Sequence, residues 1–403
     1  MIFLAQLAFR NLFRNLRRTV ITSVAVTVGV ALIILGWGFV EGLDENVLRA
    51  TKYTSSGDVL LRPDAYPTDG MEFPLEEART VPPELAAKLD ALGPWTARVW
   101  FPARLVKGAD AIRVRGVGYD AAREDLVFPR GEWHVEGAWP KPEAPEVALG
   151  VYLARLLEVK AGDTVVVEAR TKAGAINALT YTVAGLVTTS NPAYDNLGMW
   201  IPTTQADALL QLSGERTHIA SIVDKGDPDA ARDALAGHGW TGATLREECK
   251  ELLEVNDVRR RALLLLVFVI MAIAATGIAN TVIMSVYERV REVGTLLAMG
   301  MRRAQVRTMF LLEGAVMGVV AGAVGAVVGS AAVKHWERVG IDFSEQAKNM
   351  GGATSFSTML YARFDWPPVF LAFGFGVAVA LLASIWPARH AASLHPADSV
   401  RAD

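Results

Sequence analysis

"ALLLLVFVIMAIAATGIANTVIMSV", Ala262–Val286, is followed at once by "YERVREVGTLLAMGMRRAQV", Tyr287–Val306. The first stretch carries no charge over roughly 25 residues, and a helix of about 20 residues already crosses a hydrocarbon core about 30 Å thick. The second stretch is dense in charge at both ends, apolar in its middle and interrupted by Gly294 and Gly300. Together they describe a spanning helix that delivers the chain into a short amphipathic segment at the membrane surface.

Three further runs are long and apolar enough to span. These are Val20–Val40, Gly314–Val333 (extended backward past Glu313 by Met309–Leu312) and Trp366–Ala388. The first is too long for a signal-peptide core, and no small-residue cleavage site follows it, so it reads as an uncleaved anchor. Arg10, Arg14, Arg17 and Arg18 precede it without an acid, whereas Glu41, Asp44 and Glu45 follow it. Positive charge stays inside, which puts the N-terminus, the segment 287–307 and the tail 389–403 in the cytoplasm. The outer loop 334–366 holds basic and acidic residues alike and opposes this orientation only weakly. Arg10, Arg14 and Arg17 share one helical face and Phe9, Leu12, Phe13 and Leu16 lie on another, so residues 1–19 are expected to form an interfacial amphipathic helix. The spans are expected at 20–40, 256–286 (with its stalk), 308–333 and 367–388.

Between the first two spans lies a region too large for a connector, 41–255, whose composition is that of a soluble domain. "GDVLLRP" from Gly57, "WTARVWFPARLV" from Trp95 and "AIRVRGVGY" from Ala111 read as strands, the last two joined by a turn at Lys107–Asp110. "VPPELAAKLDAL" and "TTQADALLQL" read as helices, and "ATLREE" as a short strand. The pattern is α+β in two lobes, with a β-rich insertion at about 120–200 between two strand–helix halves. From about Glu247 the chain reads as helix into the second span, with no breaker beyond an unmarked Asn256–Asp257 pair. The whole composition agrees: 52% apolar and 21% charged residues, with a mean hydropathy of +0.27, is a mixture of membrane and soluble material.

Few residues point to chemistry. A net charge of −3 gives no basic footprint for nucleic acid. There is no P-loop, no His-Glu-x-x-His and no Gly-x-Ser-x-Gly elbow. The single cysteine, Cys249, excludes an internal disulfide framework. His390 and His395 are a weak metal signal, and no metal site is expected. No catalytic centre is read in this chain, and it is not expected to be an enzyme. Gly314, Gly318, Gly322, Gly325 and Gly329 are spaced for close helix approach, within the bundle or in a dimer. Glu313, beside them, needs a partner or hydration, and Arg303 and Arg307 are the candidates.

The stretch "ERVREVGTLLAMGMRRAQV…FLLEGAVMG" resembles the signature region of permeases of the MacB/FtsX/LolC–LolE superfamily, the type VII ABC transporters. The matching positions are Glu288, Arg289, Arg291, Glu292, Gly294, Leu296 or Leu297, Ala298, Gly300, Glu313 and Gly314. The closing "P-x-R-x-A" pattern falls at Pro387, Arg389 and Ala391 and continues to Pro396 and Arg401, and the order of one span, a large outer domain and three spans is the family's. The resemblance implies a fold of four transmembrane helices plus an extracytoplasmic α+β domain with Porter-like and Sabre-like lobes. It implies a cytoplasmic ABC ATPase dimer as partner, with ATP and Mg there and no cofactor in this chain. A second permease subunit, identical or paralogous, is also implied.

By architecture the LolC/LolE type is the nearest, which makes lipoprotein release from the bacterial inner membrane the expected task, with a lipoprotein or a periplasmic carrier as further partner. MacB-like efflux of drugs or peptides and FtsX-like regulation of cell-wall hydrolases are the alternatives. The coupling contact with the ATPase is expected at Glu288, Arg289, Arg291, Glu292, Gly294, Leu297, Gly300, Arg302 and Arg303. A substrate or dimer interface is expected near Val40, Leu43, Val47, Leu252, Val255 and Leu263.

Overall fold

The computed structural model describes residues 16–67, 73–189, 191–342 and 359–393. The arginine-bearing segment before Leu16, the closing Pro396–Arg401 part of the tail and His395 lie outside the described residues. In chain order the main elements are α1 (Leu16–Thr51), β1 (Val59–Pro63), α2 (Pro83–Leu92), β2 (Trp95–Lys107) and β3 (Asp110–Tyr119). There follow β4 (His134–Gly137), β5 (Glu146–Gly150), α3 (Val151–Leu156), β6 (Thr164–Arg170) and β7 (Ile176–Thr188). Then come α4 (Pro192–Leu197), β8 (Gly198–Pro202), α5 (Thr203–Leu210), β9 (His218–Ser221), α6 (Pro228–Leu235) and β10 (Trp240–Thr244). The chain ends with α7 (Lys250–Glu288), α8 (Val290–Ala298), α9 (Arg303–Val339), a two-residue strand pair and α10 (Trp366–Ser393).

The chain divides into two compact units. In the first, α1, α7, α9 and α10 are each long and apolar enough to cross a membrane. All of them outrun the apolar intervals that mark them. Counting uncharged residues finds the hydrocarbon-facing stretch, whereas backbone hydrogen bonds carry a helix on through polar sequence. So α10 does not stop at Ala388 but runs on, with Pro387 inside it, to Ser393. α7 passes Asn256–Asp257 without a break.

The glycines of α9 fall within one stripe of about 80° at 100° per residue. Its first part meets α10: a Cβ at Gly314 would lie 1.8 Å from Ser384 Oγ, and one at Gly318 would lie 2.6 Å from Ala380 Cβ. Its last part meets α1: a Cβ at Gly325 would lie 2.6 Å from the Thr27 carbonyl oxygen, and one at Gly329 would lie 3.0 Å from Ala31 Cα. Backbones this close gain dispersion contacts that side chains would prevent. Polar contacts add to them: the Thr22 and Thr281 hydroxyls are 2.7 Å apart, joining α1 to α7, and Thr27 Oγ1 donates to the Ala321 carbonyl at 3.1 Å.

The second unit holds a ten-stranded sheet in the order β10-β1-β9-β2-β3-β8-β5-β7-β4, with β6 pairing β2 and β7. Pairings are mostly antiparallel, but β3 runs parallel to β8 and β5 parallel to β7. β2 serves both lobes. Its start, Trp95–Arg98, pairs with β9, and its remainder pairs with β3 and β6. On one face of the sheet the cores separate at the same place, whereas on the other a core with Leu60 and Ala220 beside Trp100, Val117 and Trp200 runs across it. Val59, Leu61, Leu85, Leu89, Ile219 and Trp240 form one; Val99, Phe101, Leu105, Val147, Val167 and Leu209 belong to another. By pairing and packing, Val99–Tyr119 thus goes with the strands of the 120–200 interval. A single strand crosses the boundary with no turn residue to mark it. Only the change after Phe101, from continuous to alternating burial, records the passage. "ATLREE" also differs from expectation: the strand ends at Thr244, where a capping box with Glu247 starts a helical turn at Leu245–Glu248.

Candidate coupling site

α8 is short and amphipathic, and its position follows from its ends. The backbone breaks at Arg289, between α7 and α8. At the other end Gly300 adopts φ +97°, and Met301 N–H donates to the Leu296 carbonyl at 3.0 Å, a left-handed closure that satisfies the last carbonyls. No atom lies within 4 Å of where a Gly300 Cβ would stand, so the position is selected by backbone conformation and not by space. α9 then starts at Arg303, with the Arg302 N–H bonded to Gln305 Oε1 at 2.9 Å.

Val293 and Gly294 are buried and Leu297 packs against the bundle core. The opposite side is open: Glu288, Arg291, Glu292, Thr295 and Ala298 are exposed, as are Gly300, Arg302 and Arg303. The residues expected to couple thus divide into an inward anchor and an outward face. Arg289 belongs to the anchor. Its guanidinium is buried, donates from Nε to Glu292 Oε2 at 2.8 Å and lies 3.8 Å from Glu313 Oε2. Its centre stands 5.8 Å from the Phe310 ring. Glu313 is buried too, and Ser285 Oγ donates to its other oxygen at 3.0 Å.

The charge facing Glu313 is therefore Arg289, not Arg303 or Arg307, at 3.8 Å with no hydrogen bond between them. On a helix the six residues from Arg307 to Glu313 turn about 240°, which points the two side chains away from each other; both of those arginines are exposed.

The second expected set divides by burial. Val40 is buried, and Leu263 fills the space before Gly36, where a Cβ would lie 2.5 Å from its Cδ1. These two are bundle packing. Leu43 and Val47 are half-buried, while Leu252 and Val255 are about half exposed. The five glycines make contacts inside this chain, so no dimer is needed to explain their spacing.

A polar cluster between α1 and α7 was missed. Arg260 Nη2 lies 3.2 Å from Glu41 and 3.3 Å from Asp44, its Nη1 lies 3.4 Å from Asp257, and its guanidinium sits over Trp37. Asn256 Nδ2 donates to Asp44 at 2.7 Å. The i, i+3 spacing of Glu41 and Asp44 and the i, i+4 spacing of Asn256 and Arg260 were the available signals. Among the described residues no group of three metal-ligating side chains gathers.

Two family models match. The model for the MacB-like periplasmic core domain matches residues 19–237, and the model for the FtsX-like permease C-terminal region matches residues 264–396. Among curated relatives, a macrolide export ATP-binding/permease protein MacB of Hyphomonas neptunium is 25% identical over 97% of this chain and 59% of its own length. A lipoprotein-releasing system transmembrane protein LolC of Neisseria meningitidis is 26% identical over 73% of this chain and 75% of its own length. The LolE counterpart of Haemophilus influenzae is 23% identical over 93% of this chain and 92% of its own length. The chain thus spans less than two thirds of that MacB relative. Among solved structures, the periplasmic region of MacB from Actinobacillus actinomycetemcomitans aligns with 49% of the chain at 12% identity and a TM-score of 0.32.

Proposed function

The chain belongs to the MacB/FtsX/LolC–LolE superfamily of ABC permeases, and on that premise we propose that it is the membrane subunit of an ATP-driven mechanotransmission complex that releases lipoproteins from a bacterial inner membrane toward the periplasm. In this reading ATP and Mg act in a cytoplasmic ATPase dimer, and a second permease subunit completes the membrane part. The exposed face of α8 is the ATPase contact, and the sheet-containing unit faces the periplasm.

The observation that carries the reading is the anchoring of α8. A connector needs no buried ion pair, whereas an element that receives force must be tied to the spanning helices. Arg289, at the junction of α7 and α8, is buried against Glu313 of α9, so α8 is held to both spans it joins. Lipoprotein release is supported by the match to LolE along 92% of that relative's length. The energetics also call for coupling. Burial of an acyl chain is worth about 0.8 kcal/mol per CH₂, so withdrawing several chains into water costs roughly tens of kcal/mol.

The test is a proteoliposome assay with the cognate ATPase and an acylated lipoprotein, scoring release to a soluble acceptor with and without ATP. ATP-dependent release that is lost in Glu292→Arg, with membrane insertion intact, is expected. Absence of ATP-dependent release from an ATPase-active complex would sink the lipoprotein reading. Efflux is the second reading, favoured by the MacB relative that matches 97% of this chain. ATP-dependent movement of a macrolide in place of lipoprotein release would establish it.

A further inference from the structure

In the β-rich lobe, the sheet face opposite the buried core carries an open cavity of about 780 Å³. Three strands supply its floor. Arg104 of β2 stands directly across from Arg113 of β3 and from Glu168 of β6, and Pro102 stands across from Arg115. Arg170 closes the row, its Nε bonded to the Gly174 carbonyl at 3.1 Å. Like charges directly opposite on neighbouring strands are destabilising, so Arg104 against Arg113 is a cost that an anion bound beside them would relieve. Four arginines face one glutamate there, and that glutamate is already engaged with Arg104 at 3.3 Å.

Arg115 is held most firmly. Its guanidinium lies 5.2 Å from the Phe73 ring centroid, 5.5 Å from that of Tyr194 and 5.8 Å from that of Trp100. Among the described residues neither Arg113 nor Arg115 has a carboxylate partner. Three rings within 6 Å restrict the guanidinium by cation–π attraction, so less of its freedom is lost when it meets an incoming anion.

The rest of the wall is apolar. Ile176 is 82% exposed and Leu197 39% exposed, both beside Phe73 and Pro102 at the cavity. A bare phosphate or an acidic side chain would use the arginines and leave this surface wet. A neutral apolar ligand would leave the arginines unsatisfied. Apolar lining with a few convergent polar groups is the usual make-up of a small-molecule pocket, and the volume lies in the ordinary ligand range.

We propose that this cavity is a binding site for an anionic amphiphile, a ligand with an aliphatic body and a carboxylate, sulfate or phosphate head, the head on Arg113 and Arg115 and the chain along Ile176 and Leu197. The site lies wholly within the sheet-containing unit and is independent of the coupling reading.

The test uses the full chain in nanodiscs of phosphatidylcholine, with empty discs subtracted to remove partitioning into lipid. The probe is a dansyl-labelled undecanoic acid, compared with its methyl ester, and inorganic phosphate is the competitor. Saturable binding of the acid is expected, with the ester weaker by about tenfold or more, as expected for loss of hydrogen bonds to a charged group. Arg113→Glu and Arg115→Gln should each weaken the acid by about tenfold or more and leave the ester unchanged. If Arg115→Gln fails to fold, Arg113→Glu at its exposed position decides alone. Equal binding of acid and ester, or unaltered affinity in Arg113→Glu, overturns the proposal. Displacement of the probe by millimolar phosphate overturns it in favour of a simple anion site, and displacement only by an acidic peptide overturns it in favour of a protein partner.

Discussion

Replacing Arg289 by Met should undock α8 while leaving the bundle folded. The side chain is buried, and its nearest opposite charge on another helix is Glu313 Oε2 at 3.8 Å. At that separation two unit charges attract by about 4 kcal/mol for an effective dielectric of about 20. Desolvation offsets much of this in the intact pair, so the pair itself adds little net stability. Removing one partner is a different matter. It strands the Glu313 carboxylate with only the Ser285 hydroxyl at 3.0 Å, a loss of about 3–5 kcal/mol for a buried pair.

The Glu292 contact adds little to that figure. Its carboxylate is about half exposed, and pairs of that kind contribute about 0–1 kcal/mol. The readout is thiol labelling of Val293→Cys, a position with no solvent exposure; the native Cys249 is buried and gives low background. A loss of about 3 kcal/mol confined to α8 raises the open population, and hence the labelling rate, roughly a hundredfold. The double variant Arg289→Met/Glu313→Leu, which replaces the pair with apolar groups, should label slowly again. If Arg289→Met labels no faster than its parent, or if the double variant labels as fast as the single, the pair does not hold α8 and the reasoning fails.

Three further outcomes can be checked. Gly314→Ala places a methyl group 1.8 Å from Ser384 Oγ, so it should lower stability by about 1–3 kcal/mol, and Ser384→Gly in the same chain should restore most of it, measured by thermal unfolding in detergent. Gly300→Ala and Gly300→Leu should lower stability equally, by about 1 kcal/mol each, because φ +97° and not space sets the requirement; a much larger effect of Leu would show a steric contact. Asp195 has its carboxyl pushed up to about 7 by burial, only partly opposed by hydrogen bonds from the Thr189 amide and hydroxyl. A raised folded value means that the folded state binds more protons than the unfolded state between about pH 4 and 7. Its stabilising contribution is therefore full below about pH 4 and is lost as pH rises to about 7. Asp195→Asn should flatten that part of the melting-temperature profile of the full chain, and an unchanged slope would show that Asp195 is ionised in the fold.

The spanning helices were legible because an uncharged run of the required length has few other physical explanations. The ends of those helices were not, since a helix can leave the hydrocarbon and continue on polar residues, as α7 does from Lys250. Strands between Gly57 and Tyr119 were legible from alternation and turn residues. The lobe boundary was hidden because β2 belongs to both lobes and its residues on either side of Phe101 differ in environment, not in kind. The Arg289–Glu313 contact was hidden for a related reason. Helical spacing reports neighbours on one helix, and these two meet only once α7 and α9 have packed. The same holds for Arg260, whose partners Glu41 and Asp44 are more than two hundred residues away.

The two arginines mark both ends of α7's membrane passage, and that placement bears on how the bundle moves. Arg260 ties α7 to α1 through Glu41 and Asp44, and Arg289 ties the other end to α9 through Glu313. Between them the contacts of α9 admit no added methyl group at Gly314 or Gly325. Interiors packed this closely do not deform continuously but move between discrete arrangements. α9, close-packed on α10 at Gly314 and on α1 at Gly325, will therefore displace together with those helices sooner than slide singly. In the proposed mechanism a push on α8 then reaches α9 through Arg289 and Glu313 and, through the glycine contacts of α9, α1 and α10, and breaking the Arg289 tie should abolish coupling while sparing the glycine contacts deeper in the bundle. Breaking the Arg260 ties instead, with Arg260→Met, should leave ATPase association intact and uncouple hydrolysis from release. Loss of ATPase association in Arg260→Met would mean that the two ends of the passage do not act separately and would contradict this order of events.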